Sequence, residues 1–371
     1  MKQNIALRIR IYPNKTQIKL LNKNFGCARF MYNSLLSLYN KTNKVSSYKD
    51  VYDEDNTSWL SEADTSLYAN VVINLKKAIN NHYNNPKKFE LPKFKSKHNK
   101  RQSYTTSVTN NNSRVIDNKH IRIPKVGKLR AIVHRNIPND YKLKSVTISK
   151  EADGKYYASL LYEYYEKSCE KQADKDFTYM LGIDYSMTQL GVLSNGEYID
   201  YPQYMKKSIP RLANLERALS RCVPKSNNWY KRKNDIARLH AKIKNQRMDF
   251  LNKKSLELAT RYDVIVIEDL ALQDMSKDNH YGKSIYDNSY NMFTNKLNYK
   301  LTKNGKQLIK VDKYFPSSKK CSICGNINKE LKLFDRTYTC SCGNYIDRDY
   351  NAAINIVTQG YKMLNEVKIN I

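Results

Sequence analysis

Four cysteines constrain the folding of this chain more than any other short segment does. Cys321-Ser322-Ile323-Cys324-Gly325 is followed by Cys340-Ser341-Cys342-Gly343, with fifteen residues between Cys324 and Cys340. Two close thiol pairs at that separation form the ligand pattern of a tetrahedral zinc site of ribbon type, and a bound ion draws both pairs to one point. The glycine after each pair lets the backbone turn so that its amides approach the sulfurs. One residue rather than two separates Cys340 from Cys342, a tighter chelate that still permits four-coordination. All four positions are cysteine and none is left for water, so the expected zinc is structural. The remaining cysteines, Cys27, Cys169 and Cys222, are scattered. In a reducing compartment, a cluster of this kind points to metal rather than disulfides.

At 371 residues the chain has room for two or three domains, and 40% hydrophobic content with few Gly and Pro is globular rather than disordered. Charge sets it apart. Sixty-five Lys and Arg stand against 35 Asp and Glu, a formal net charge of +30. A compact fold repels itself at that charge and is best tolerated beside a polyanion, so nucleic acid is the expected partner. A membrane is not expected: no helix concentrates one basic face, and no stretch approaches the roughly 18 apolar residues of a span. Met1-Lys2-Gln3-Asn4-Ile5-Ala6-Leu7 runs directly into an alternating pattern without a signal-peptide core, which predicts a cytoplasmic protein.

Ile5-Ala6-Leu7-Arg8-Ile9-Arg10-Ile11-Tyr12 alternates apolar and basic residues and reads as a strand with one cationic face. Pro13-Asn14-Lys15 breaks it. A helix is expected over 16–41, with Ile18, Leu21, Phe25, Phe30, Leu35 and Leu36 for a core, and another over 66–83, carrying Leu67, Val71, Ile73, Leu75 and Ile79. Past Pro86 comes a basic stretch, Lys93 to Arg101, interleaved with Phe94 and Tyr104. Short β-like runs follow at 103–108, 120–124, 131–134, 145–149 and 156–164, with Asp153-Gly154 as a hairpin turn. Together these predict a small antiparallel β domain with the early helices inserted. Residues 169–177 read as a linker. Beyond it, strands at 179–184, 190–193 and 198–199, helices at 209–221 and 233–260, and the buried-strand run Val264-Ile265-Val266-Ile267 predict a second, α/β domain with a parallel crossover.

Asp184 ends one apolar, non-alternating strand and Glu268 ends another. An ionised carboxylate beside a buried strand is costly unless something cationic binds it, and two placed alike suggest a shared metal site. Asp349, at the start of the helix expected at 351–357, offers a third; Asp347 is the alternative. Mg²⁺, or Mn²⁺, takes oxygen ligands of this kind, and two such ions about 4 Å apart hydrolyse phosphodiesters.

These segments resemble the TnpB family, the OrfB-type proteins of bacterial insertion sequences related to type V CRISPR effectors. Gly182-Ile183-Asp184, Ile267-Glu268-Asp269-Leu270, Ser317-Ser318-Lys319-Lys320-Cys321-Ser322-Ile323-Cys324-Gly325 and Asp347-Arg348-Asp349-Tyr350-Asn351-Ala352-Ala353 carry the resemblance in the C-terminal half. Arg10-Ile11-Tyr12-Pro13, Phe25-Gly26-Cys27-Ala28-Arg29-Phe30-Met31-Tyr32-Asn33, Leu91-Pro92-Lys93-Phe94-Lys95-Ser96-Lys97 and Asn245-Gln246-Arg247 extend it towards the N-terminus. The resemblance implies a multidomain α+β and α/β protein. Residues 1–170 would be a wedge-like β-barrel with a helical recognition insertion at about 14–90, and residues 178–371 a RuvC-like RNase H fold with a zinc ribbon at about 314–346. It further implies a bacterial, nucleoid-associated RNA-guided DNA endonuclease, acting as one copy with a guide RNA from the transposon end. Its target would be double-stranded DNA beside a short adjacent motif, cut with two Mg²⁺ through Asp184, Glu268 and Asp349. Arg336 matches a family arginine expected near the scissile phosphate. In the N-terminal half, Arg8, Arg10, Lys93, Lys95, Lys97 and Arg101 are the candidate phosphate contacts, and Tyr12 and Tyr104 the candidate base-stacking rings.

Two other readings compete. A guided DNA-binding regulator without catalysis is signalled by loss of an acid from the set, and here all three positions are acidic. A DNA-joining transposase with a tyrosine nucleophile needs a metal-binding histidine pair, and the histidines at 82, 98, 120, 134, 240 and 280 form no closely spaced pair. The endonuclease ranks first.

Overall fold

A computed structural model describes residues 2–52, 57–165, 179–186, 189–270, 289–332 and 334–369. The chain divides into two compact units, Met1–Cys169 and Glu170–Ile371. The expected linker at 169–177 lies outside the described residues.

In the first unit, alternation in β1 (Lys2–Tyr12) buries Leu7, Ile9 and Ile11 on one side and turns Arg8 outward. Helix α1 (Lys15–Thr42) starts at Asn14. The Asn14 side chain accepts from the Gln17 amide, and the Gln17 side chain accepts from the Asn14 amide. Asn43, left-handed at φ 55°, ends the helix. Two 3₁₀ turns lead to α2 (Ser66–Asn84). Two core expectations fail here. Phe30 is 37% exposed, edge-on to Trp59, and Ile73 is 60% exposed. Each falls off the buried stripe of its helix, which runs through Leu21, Phe25, Ala28, Tyr32 and Leu35 in α1 and through Leu67, Val71, Leu75 and Ile79 in α2.

Six further strands follow: β2 (Gln102–Ser107), β3 (Arg114–Asp117), β4 (His120–Ile123), β5 (Gly127–Ile132), β6 (Lys142–Lys150) and β7 (Tyr156–Tyr165). They form an antiparallel sheet with β1 in the order β2-β6-β7-β1-β5-β4-β3. Its buried face shares one core with α1 and α2. The expected barrel is not closed by hydrogen bonds among the described residues, where β2 and β3 are unpaired edges. Strand β3 is four residues long and mostly exposed, so it has no inward row to offer a closing partner.

The second unit is built on a five-stranded sheet in the order β10-β9-β8-β11-β12. Here β8 (Met180–Asp184), β11 (Val264–Glu268) and β12 (Gln307–Val311) are parallel, while β9 (Gly191–Leu193) and β10 (Tyr198–Ile199) are antiparallel. Among the described residues its helices are α3 (Tyr204–Ser220), α4 (Asn227–Arg261), α5 (Tyr290–Lys303) and α6 (Arg348–Ile369). The sheet is covered on both faces, which explains its unbroken apolar runs. Leu181, Ile183, Ile265 and Ile267 meet Leu251 and Leu258 of α4 and Phe293, Leu297 and Leu301 of α5. Val264, Val266 and Val311 face the other way and meet Ile356 of α6. Helix α6 presses directly on β8: a Cβ at Gly182 would collide with the Ala353 carbonyl and stand 2.9 Å from the Val357 amide. Between α5 and α6, β13 (Thr337–Thr339) and β14 (Tyr345–Asp347) form a small hairpin whose last strand runs into α6.

Candidate functional site

Parallel strands β8 and β11 pair with Ile267 opposite Ile183, so Asp184 and Glu268 close neighbouring strands at the same end of the sheet. The two-residue period of a strand fixes their side as well. Leu181 and Ile183, like Ile265 and Ile267, point to α4 and α5, so Gly182 and Asp184, Val266 and Glu268 belong to the α6 face. Helix α6 brings Asp349 to that face in its first turn.

Each acid is held differently. Asp184 is 8% exposed and has no hydrogen-bond partner among the described residues. Burial, then the charges of Glu268 and Asp349, push its carboxyl well above the usual carboxylate range, against the pull of Arg348. Glu268 is half-buried and accepts a 2.5 Å hydrogen bond from the Ser317 hydroxyl. Burial raises its pKa and the Ser317 bond opposes the rise. Asp349 accepts from Nε and Nη2 of Arg348 at 3.1 and 3.0 Å, and Nη1 of Arg336 lies 3.8 Å from its other oxygen. Asp347 is exposed and accepts from the Tyr350 amide at 2.9 Å, which makes it the cap of α6. Tyr290, at the start of α5, is 2% exposed, and its hydroxyl has no hydrogen-bond partner among the described residues. Burial, with the charges of Asp184 and Glu268, raises its pKa far above the usual phenol value.

The thiol site is tighter. Among the described residues, only Cys321, Cys324, Cys340 and Cys342 bring three or more metal-ligating atoms within 4.8 Å of one another. Cys321 and Cys342 sulfurs are 3.7 Å apart, and those of Cys324 and Cys340 3.5 Å. A tetrahedron of sulfurs around zinc has edges of about 3.8 Å, so the four cysteines fit the ion. Gly325 and Gly343 follow the pairs at φ +79° and +88°, and their amides bond the carbonyls of Cys321 and Cys340. Burial raises the Cys321 thiol, but the amides of Cys324 and Ile323 and the Asn344 side chain outweigh it and bring it down to about 6. Thiolate is the form zinc takes.

Two asparagines join the centres. Asn351 bonds the Lys320 carbonyl at 2.8 Å and the Ser322 amide at 3.0 Å. One turn on, Asn355 bonds the carbonyls of Ser317 and Lys320 at 2.8 and 2.6 Å. The helix that carries Asp349 therefore fixes both the serine on Glu268 and the first cysteine of the thiol site. Sequence reasoning assigned no role to Ser317, Arg348, Asn351 or Asn355. The available signal was a pair of asparagines at i and i+4 on an otherwise apolar helix face.

The basic candidates of the first unit do not form one set. Arg8 and Arg101 converge on Glu151, at 2.7 and 3.4 Å, and Arg8 and Arg10 lie over the Tyr157 ring. Lys93 pairs with Glu90 at 2.5 Å. Lys95 folds its ammonium 3.6 Å over the Tyr32 ring, where loss of water lowers its pKa. Lys97 is exposed. Tyr12 is 42% exposed with Arg10 and Arg130 over its ring, an arrangement open to stacking. Tyr104 is not open: it is 4% exposed, packs on Phe25 and is bonded by Asn24, because its position in β2 faces the helices. Among the described residues no helix is long and apolar enough to cross a membrane.

Three family models match. One described as "Probable transposase", of OrfB IS605 type, covers residues 159–279; a Cas12f1-like TNB domain covers 290–356; a helix-turn-helix domain of the OrfB IS605 type covers 1–44. Over that last stretch the structure has β1 and the single helix α1. A "Putative RNA-guided DNA endonuclease" of Streptomyces pristinaespiralis is 31% identical, across 96% of this chain and 89% of that protein. A "Putative RNA-guided DNA endonuclease InsQ" of Escherichia coli K12 is 28% identical, across 98% and 94%. The fold is similar to Cas12f1 in its complex with sgRNA and target DNA, at a TM-score of 0.58 and 14% identity over 96% of this chain and 98% of that one.

Proposed function

The chain belongs to the TnpB family, and on that premise we propose that it is an RNA-guided DNA endonuclease encoded by an insertion sequence. Asp184, Glu268 and Asp349 are its catalytic acids. One observation carries this reading: three carboxylates from β8, β11 and α6 share one face at one end of a buried sheet, close enough that two raise the pKa of the third. Their oxygens suit Mg²⁺ or Mn²⁺, which when bound there would activate water and stabilise the leaving oxygen of a phosphodiester. The rest is the work of side chains. Ser317 fixes the Glu268 carboxylate and Arg348 the Asp349 carboxylate, so both keep one orientation. Arg336, whose side chain is 74% exposed, projects beside Asp349, where its guanidinium meets a phosphate and offsets charge as the bond breaks.

In this reading the second unit, 178–371, is a RuvC-like RNase H fold with a structural zinc ribbon at about 314–346. The first, 1–170, is a wedge-like domain with its recognition helices at about 14–90. It holds the guide RNA and reads a short motif beside the DNA target. The net charge of +30 supports a partner of this kind, and Arg8, Arg10, Lys93, Lys95, Lys97 and Arg101 are its phosphate contacts. The test begins with the RNA that copurifies with the protein. Sequencing it names the guide, and a duplex matching that guide, with Mg²⁺, is expected to be cut while an unmatched duplex stays whole. Equal cutting of both duplexes, or full activity in excess EDTA, overturns the proposal.

A further inference from the structure

The first unit carries a cleft that neither the acidic site nor the basic stretch uses. It opens where the β2–β3 connection faces the β5–β6 connection, and both β3 and β6 line it although the sheet order keeps them far apart. Its volume is about 820 Å³, inside the roughly 300–1,000 Å³ of small-ligand sites. The floor is apolar: Val108, Val115, Val133, Ile137 and Leu143 pack there against the core of the unit. In the wall, the Ser113 hydroxyl is buried and has no hydrogen-bond partner among the described residues. The walls are preformed. Asn112 pins the turn beside Ser113, its side chain accepting from the Thr109 amide at 3.2 Å and donating to the Ser107 carbonyl at 3.4 Å. On the β5–β6 side, Tyr141 stacks on Tyr164 with ring centroids 4.3 Å apart.

The rim is polar and cationic. Arg114, Arg135 and Lys142 are exposed there, and none stands in a salt bridge among the described residues. The nearby carboxylates are already engaged. Asp117, on the rim, lies 2.9 Å from His120 Nδ1, and Glu163, across the strands from Lys142, pairs with Lys2 at 2.9 Å. The side-chain amides of Asn118 and Asn136 make no hydrogen bond among the described residues either. An apolar slot takes the faces of a flat ring, an amide pairs with its polar edge, and a free cation holds a phosphate. We propose that the cleft takes one unpaired nucleotide of the bound RNA. Its base enters the apolar slot, Asn118 and Asn136 meet the base edge, and Arg114, Arg135 and Lys142 hold the flanking phosphates. This assignment rests on the reading of the first unit as the holder of an RNA, and adds to it a seat for a single splayed-out base.

Base-specific chemical probing of the copurified RNA, free and in the ribonucleoprotein, tests the assignment on the full chain. In the parent complex an unpaired nucleotide is expected to be protected at its base. Val133→Phe fills the slot from its floor. It should restore the reactivity of that nucleotide and weaken RNA binding about tenfold. Arg135→Gln with Lys142→Gln leaves the slot open and removes two exposed cations. The pair should lower the salt slope of RNA binding by about one to two and loosen the same nucleotide. Melting temperatures accompany both, and where Val133→Phe melts below the parent the rim pair decides. A protection pattern identical in parent and variants overturns the assignment, and so does a reactivity gain spread evenly along the RNA. If the purified chain carries no defined RNA, the guided reading itself is refuted. If it carries one whose bases stay equally protected in every variant, only the cleft loses its role.

Discussion

Asp184 is the residue at which fold and function oppose each other. Its carboxyl is buried beside two other acids, so its folded pKa lies above its unfolded value. The folded state then holds a proton that the unfolded chain has released. Stability from this group is full below the unfolded pKa, about 3.9, and is lost as pH rises through the folded value. Glu268 shifts in the same direction. In EDTA, Asp184→Asn is therefore expected to melt above the parent at pH 8, with a gain of the order of 1–2 kcal/mol. The difference should shrink towards pH 4, and millimolar Mg²⁺ should narrow it by stabilising the parent alone. Cleavage is expected to vanish in the same variant while RNA and DNA binding persist. A stability difference that does not change with pH contradicts the assignment of the raised pKa to this site. Neighbouring Asp347 and Asp349 make the complementary point. Adjacent residues of one type are equal candidates in the sequence, and only the start of α6 separates them, turning one into the helix cap and the other towards Asp184.

Among the elements, α6 does most to assemble the site, because it touches the sheet, the ribbon and the acids. Its contact with β8 at Gly182 is against helix backbone, whereas Gly360 meets only side-chain atoms of Val266, the next nearest at 2.7 Å from a built Cβ. The two glycines should therefore respond differently to alanine. Gly360→Ala is expected to cost about 1–3 kcal/mol and to be rescued largely by Val266→Ala, while no side-chain truncation rescues Gly182→Ala. Thermal melts of the three single variants and of each glycine variant combined with Val266→Ala measure this; equal rescue of both sites refutes the direct helix–strand contact. The ribbon supplies a second element-scale test. Cys321→Ser removes a thiol that is buried and lies within 4.8 Å of the other three, so metal analysis of the purified variant should find less than the one zinc per chain expected of the parent. The melting temperature should fall with it, since Asn351 and Asn355 couple this segment to α6. Most of these elements are legible as periodicity: α1, α2, α4, β8 and β11 follow apolar spacings that survive without tertiary context. Strands β3 and β12 and helix α5 were not foreseen. Arg114–Asp117 is short and mostly exposed, and Gln307–Val311 has only partial burial before Val311, so neither contrasts with its surroundings until a neighbouring strand pairs with it.

At the scale of the whole molecule, charge is the property that composition alone fixes. With +30 on 371 residues, affinity for nucleic acid should fall steeply with salt, by roughly 10³ to 10⁵ between 50 and 200 mM if six to ten phosphates are engaged. Fluorescence anisotropy with a labelled RNA or duplex reads the slope, and a nearly flat one removes the electrostatic basis of the partner assignment. The sequence by itself determined the longer helices and the more apolar strands, the ligands of the thiol site and the acidic ends of two apolar strands. Spacing, alternation and residue type are properties of the chain, and they act over a few residues. The fold alone decided which face each side chain took: that Tyr104 serves the core while Tyr12 stays open, that Ser317 reaches Glu268 across 49 positions, and that Tyr290 is buried in the core under α4 and α5. Those outcomes depend on elements remote in sequence arriving at one place, and packing settles them after local preference has been spent.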